Sequence, residues 1–159
     1  MTASSKPQTP TSAVMKTYGR ADLSFVRGEG CWLITEGDER YLDCASGIAV
    51  NTLGHSHPAL VEALRDQAGR LWHTSNLYRI PGQERVAAKL AELTGLDQVY
   101  FCNSGAEANE SAVKIARRAA HERGEPDRMT ILCATGSFHG RTLGMLAATD
   151  KPANRTGFG

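Results

Sequence analysis

The sequence predicts an α/β fold, and two patterns carry that prediction. A short apolar run, Val99-Tyr100-Phe101-Cys102, is followed by a long amphipathic stretch and then a second apolar run at 129–134. Strands joined through a helix of this length run parallel, because a parallel crossover needs a dozen or more residues. Upstream, residues 25–44 show the opposite habit, with apolar runs separated by tight polar turns, and read as antiparallel β. Composition agrees with a folded chain: 41% of the 159 residues are hydrophobic and 16 are glycine, a globular balance.

Residues 1–20 read as a flexible tail. They carry Lys6, Lys16 and Arg20 and no acid. This Ser/Thr-rich, acid-poor stretch has no apolar segment of the secretory kind. A transit peptide is the competing reading, and Met15 is an alternative start. In 25–44, Phe25-Val26 precedes Gly28-Glu29-Gly30, and Cys31-Trp32-Leu33-Ile34 and Tyr41-Leu42-Asp43-Cys44 flank the turn Glu36-Gly37-Asp38-Glu39. That is a hairpin signature. Residues 46–57 form a Gly/Ser/Asn/His loop, and Pro58 suits the first position of a helix. Leu60, Leu64, Ala68 and Leu71 then form one helical stripe. A loop over 74–82 leads to a second helix with Val86, Leu90 and Leu93 on one face and Gly95 as its stop. The third helix spans 106–123, and a fourth begins at Thr142.

The charges balance, 18 basic against 17 acidic, so there is no basic field for a nucleic acid. The longest charge-free run, 44–61, contains Asn51, His55, His57 and Pro58 and is no membrane span. Cys31, Cys44, Cys102 and Cys133 form no CxxC pair and read as buried, reduced thiols of a cytoplasmic protein. His55-Ser56-His57 lacks a companion Cys or carboxylate at zinc spacing, so no metal site is expected.

The chemistry concentrates after the two apolar runs. Ser104-Gly105-Ala106-Glu107 fits a capping box. A helix N-terminus at the tip of a parallel strand is an anion site, although a capped helix with no ligand satisfies the same pattern. Neither the Walker nor the dinucleotide glycine pattern is present. Phe138-His139-Gly140-Arg141 follows the next apolar run, at the same sheet edge, where open α/β sheets bind ligands. Phe138 can stack on a flat ring, and Arg141 can hold a carboxylate through paired hydrogen bonds. Gly136, Gly140 and Gly144 recur every four residues, which reads as close packing. The spacing around Ser137 is not that of a hydrolase nucleophile.

Four blocks, in order, resemble class III pyridoxal-phosphate aminotransferases. They are Gly47-Ile48-Ala49-Val50-Asn51-Thr52-Leu53-Gly54-His55-Ser56-His57-Pro58, Leu71-Trp72-His73-Thr74-Ser75-Asn76-Leu77-Tyr78, Asn103-Ser104-Gly105-Ala106-Glu107-Ala108-Asn109-Glu110 and Phe138-His139-Gly140-Arg141-Thr142. The first two resemble the branch acting on acetylornithine. The resemblance implies a fold type I chain, with 21–72 as a hairpin-and-helix part of the small domain and 73–159 as the beginning of the large cofactor-binding domain. It implies that Ser104, Gly105 and Ala106 hold the phosphate of pyridoxal 5'-phosphate and that Phe138 stacks on its ring. Arg141 would pair with the substrate α-carboxylate. Ile48 stands where relatives acting on free ornithine carry a tyrosine, which suits an acylated amine. The implied reaction moves an amino group from N2-acetyl-L-ornithine to 2-oxoglutarate in a homodimer. Ornithine, succinylornithine and 4-aminobutyrate are the competing donors, and a non-enzymatic phosphate-ligand module is the competing class. None of Lys6, Lys16, Lys89, Lys114 and Lys151 has the context of the family's Schiff-base lysine. The expectation is therefore a truncated chain with no catalytic residue of its own.

Overall fold

The computed structural model describes residues 12–158, so residues 1–11 of the expected tail lie outside the described residues. The chain divides into two compact units, Met1–Leu77 and Tyr78–Gly159.

The first unit is built on a three-stranded antiparallel sheet, β1 (Phe25–Glu29), β2 (Trp32–Thr35) and β3 (Arg40–Leu42), in the order β1-β2-β3. The expected antiparallel region is therefore present. Aromatic and β-branched residues favour this pleated surface. Glu29 pairs with Trp32 across a two-residue turn in which Gly30 has φ 55°, a conformation glycine adopts without steric cost. The second turn brings Trp32 opposite Leu42, with Asp38 at φ 60°, a conformation that Asp tolerates. Ile34 is the buried centre of the sheet, at 2% exposure. Phe25 meets Tyr41 edge to face, with centroids 5.5 Å apart, and the Arg40 guanidinium lies 4.9 Å from the Trp32 ring centre.

Beyond the sheet, α1 (Ser46–Ala49) is a short turn with left-handed backbone. Ser46, Gly47, Ile48 and Ala49 have φ of 49°, 62°, 66° and 62°. Left-handed residues with a Cβ cost roughly 1–2 kcal/mol each, so this turn needs external restraint. α2 (Pro58–Ala68) starts on Pro58 as expected. It stops three residues short of Leu71, where Gly69 caps it and the Trp72 indole donates to the Ala68 carbonyl at 2.8 Å. Its stripe of Leu60 and Leu64 is exposed.

The second unit contains α3 (Pro81–Thr94), α4 (Gly105–Glu122), α5 (Leu143–Ala148) and α6 (Pro152–Arg155). α3 ends where expected. Gly95 takes φ 70° and its amide donates to the Ala91 carbonyl at 2.9 Å, a left-handed C-terminal stop. Among its described residues, the second unit buries Ala120, Gly140, Met145, Leu146 and Thr149.

The parallel strands expected at 99–102 and 129–134 are not strands among the described residues. Both runs have strand composition, but a strand exists only when a neighbour accepts its ladder of hydrogen bonds, and neither run finds one. Leu132 is accordingly 92% exposed. The four cysteines are free, as expected, but exposed rather than buried: Cys102 and Cys133 sit in these uncovered runs. No described helix is long and apolar enough to cross a membrane.

Candidate active site

The N-terminus of α4 is set by the expected capping box. Ser104 has extended backbone, and its hydroxyl accepts from the Glu107 amide at 3.2 Å. The Glu107 carboxylate reaches back one residue further than the usual box, accepting from the Asn103 amide at 2.6 Å. The Gly105 and Ala106 amides make no hydrogen bond among the described residues, and a Cβ on Gly105 would point into open space. These two donors stand at the positive end of an 18-residue helix.

The loop 136–142 lies across this helix end. Gly140 is buried, with φ 133°, and a Cβ there would come within 2.8 Å of the Ala106 Cβ. On Gly144, a Cβ would lie 2.6 Å from a Glu110 carboxylate oxygen. Close packing is thus the reason for two of the three spaced glycines. The third, Gly136, instead has φ 73°, and its amide donates to Asp150 at 2.8 Å.

Further side-chain hydrogen bonds fix the loop. The Asn109 amide donates to the His139 carbonyl at 2.8 Å. Thr142 donates to the Glu110 carboxylate at 2.5 Å, and its hydroxyl accepts from the Met145 amide at 3.2 Å, capping α5. The Thr149 hydroxyl is fully buried. It accepts from the His139 amide at 2.9 Å and donates to the Met145 carbonyl at 2.8 Å. Asn109 and Glu110 were readable as neighbours of Ala106, because residues three and four apart share a helix face. Thr149 carries no local sequence signal.

A cleft of about 470 Å³ results, lined by Gly105, Ala106, Asn109, Phe138, His139, Gly140 and Arg141. Four of the expected site residues, Gly105, Ala106, Phe138 and Arg141, therefore share one cavity. Ser104 stands at its edge, its hydroxyl engaged as the cap. Ile48 belongs to the other unit, in the left-handed turn, at 89% exposure. The Phe138 ring is half exposed, with the Arg141 guanidinium 5.8 Å and the Lys151 ammonium 5.7 Å from its centre. Lys151, set aside in the sequence, thus lies beside the ring, as a cation–π partner. Two amides without a partner, an exposed aromatic face and a guanidinium fit a phosphorylated aromatic cofactor bearing a substrate carboxylate. A second cavity, of about 330 Å³, lies at the far end of α4. It offers arginines but no aromatic platform. Arg117 there is bonded to the Met129 carbonyl and Arg128 to Glu125.

In the first unit, His55 serves as a strut. Its Nε2 meets the Asp43 carboxylate at 2.7 Å, and the other Asp43 oxygen accepts from the amides of Ala45 and Ser46 at 3.0 and 2.8 Å. The His55 hydrogen bond, followed by the Ser46 amide, holds the Asp43 carboxyl below the ordinary carboxylate range.

The class-III aminotransferase family profile matches residues 14–159. An acetylornithine aminotransferase of Agrobacterium fabrum is 54% identical over 143 residues, covering 90% of this chain and 36% of its own length. One from Brucella melitensis is 57% identical with the same coverage. Among solved structures, ornithine aminotransferase from Toxoplasma gondii superposes with a TM-score of 0.87 at 30% identity, over 92% of this chain and 35% of its own. N-acetylornithine aminotransferase from Stenotrophomonas maltophilia gives 0.71 at 40% identity, over 76% of this chain and 34% of its own. The chain therefore spans little more than a third of the relatives it matches. These neighbours have the fold type I architecture, and the cleft residues all fall inside the matched span. On that agreement of motif, fold and relatives, the chain belongs to the class-III aminotransferase family, which is pyridoxal-phosphate dependent.

Proposed function

We propose that this chain contributes to the transfer of an amino group from N2-acetyl-L-ornithine to 2-oxoglutarate. The observation that supports this is the single cleft uniting the free amides of Gly105 and Ala106, the Phe138 ring and the Arg141 guanidinium. The amides, with Ser104 ordering the helix start, bind the cofactor phosphate. Phe138 supports the pyridine ring, which when bound serves as an electron sink for the carbon carrying the transferred nitrogen. Arg141 orients the donor through its α-carboxylate. Asn109 and Thr149 hold the loop that carries Phe138 and Arg141. No lysine of this chain is assigned a catalytic role.

Free ornithine is the rival donor, because a structural neighbour is named for it. Ile48 favours the acetylated donor: its apolar side chain offers nothing to a free ammonium and does not oppose an acyl group. The proposal extends to a cytoplasmic homodimer. It also assigns 1–20 to a tail, 21–72 to the small domain and 73–159 to the beginning of the large one. The test is a comparison of kcat/KM for acetylornithine, ornithine, succinylornithine and 4-aminobutyrate, using protein expressed from the full reading frame. The expected result is a preference for acetylornithine of roughly 10-fold or more, the size one pocket contact confers, reduced in Ile48→Tyr. Equal use of all four donors, or a preference unmoved by Ile48→Tyr, contradicts it.

A further inference from the structure

The turn over Ser46–Ala49 presents a physical puzzle. Three of its four left-handed residues carry a Cβ, one of them the β-branched Ile48, for which such backbone is an outlier. Side-chain burial cannot hold it, since Ile48 and Val50 are largely exposed. A strained conformation persists only where its surroundings over-determine it. Here the surroundings are a relay of hydrogen bonds that begins on the sheet.

His55 is fixed first. Its backbone exchanges two hydrogen bonds with Gly30, at 2.7 and 3.0 Å. Its ring occupies the space beside Gly28, where a Cβ would lie 2.6 Å from the ring carbon Cγ. The return of the chain to this bridge depends on Gly54, whose φ is 79° and where a Cβ would lie 2.7 Å from the Gly30 carbonyl oxygen. The seated His55 ring then holds one oxygen of Asp43 at 2.7 Å, with only 19% of the His55 side chain and 8% of the Asp43 side chain exposed. The other oxygen accepts from the Ala45 and Ser46 amides, the two donors that open the turn. The Ala45 carbonyl in turn accepts from Ile48 at 2.8 Å and Ala49 at 3.1 Å.

We infer that Asp43, oriented by His55, is a positioning residue that sets the backbone of Ser46–Ala49 and thereby donor selectivity. The inference rests on the reading of Ile48 given under the proposed function. Neither Asp43 nor His55 is assigned contact with a donor. They act by fixing where Ile48 projects.

The experiment uses the protein expressed from the full reading frame. The readout is the ratio of kcat/KM for acetylornithine to that for ornithine, with cofactor absorbance as the check that each variant is folded. Asp43→Ala is expected to lower the ratio roughly 10-fold, as loss of one pocket contact does. His55→Gln, which can still donate to Asp43, is expected to keep the ratio within about twofold. His55→Phe fills the same seat on Gly28 without a donor, and is expected to behave like Asp43→Ala. If Asp43→Ala does not fold, His55→Phe decides. A wild-type ratio near one removes the reading of Ile48 and this inference with it. A wild-type preference that survives both Asp43→Ala and His55→Phe overturns the inference alone and leaves the proposed function standing.

Discussion

Gly140 shows how one missing methyl group shapes the cleft. Its φ of 133° disfavours a side chain, and a Cβ would approach the Ala106 Cβ to 2.8 Å. The glycine therefore lets the loop lie against the α4 terminus, where the free amides of Gly105 and Ala106 and the Phe138 ring face one cavity. Gly140→Ala is expected to cost about 1–3 kcal/mol, the range for overpacking a close contact, and to weaken cofactor binding by moving Phe138 and Arg141. Urea unfolding checks the first consequence. A change below about 0.5 kcal/mol, typical of an unconstrained surface position, would contradict it. Phe138, Gly140 and Arg141 were legible in the sequence because the motif names them. Asn109 was legible only as part of a motif, without its bond to the His139 carbonyl. Thr149 was not legible, because its partners His139 and Met145 converge on it only after the loop has folded.

The elements differ in how far local sequence determines them. α3 ends at a left-handed Gly95 and α4 begins at the Ser104 cap; these boundaries are chemical and could be read directly, whereas α3 starts at Pro81, inside the stretch 74–82 expected to be a loop. The runs at 99–102 and 129–134 have equally clear composition, yet neither is a strand here, because strand formation depends on a neighbouring chain segment. The left-handed turn over Ser46–Ala49 was the least legible element. Its sequence reads as an ordinary loop, and its conformation follows from Asp43 and His55. Asp43 also gives this junction a pH dependence. Its folded-state pKa lies below the unfolded value, by reason of the His55 bond and the Ser46 amide. The stabilisation is therefore complete above the ordinary carboxylate range and is lost as the pH falls through the lowered value. The amide proton shifts of Ala45 and Ser46 should titrate with a midpoint below that of an unperturbed Asp. A midpoint at or above the ordinary value would show that the Asp43–His55 relay does not hold in solution.

Across the whole molecule, the family and the site blocks were legible while much of the core was not. Ile34, Ala120, Met145 and Leu146 are the buried hydrophobic residues described, whereas Leu60, Leu64, Tyr100 and Leu132 are exposed despite their apolar patterning. Periodicity identifies which face of an element is apolar; it does not supply the surface that covers it. What the molecule does bring together in one cavity is the Gly105 and Ala106 amides, the Phe138 ring and the Arg141 guanidinium, the set proposed to recognise the cofactor. The most direct measurement is equilibrium binding of pyridoxal phosphate to protein expressed from the full reading frame, with inorganic phosphate as competitor and Phe138→Leu as the comparison. The expected result is saturable binding that phosphate displaces and that Phe138→Leu weakens roughly 2- to 10-fold, since aromatic stacking is worth about 0.5–1.5 kcal/mol beyond burial. Binding that phosphate does not displace and that Phe138→Leu leaves unchanged would contradict it.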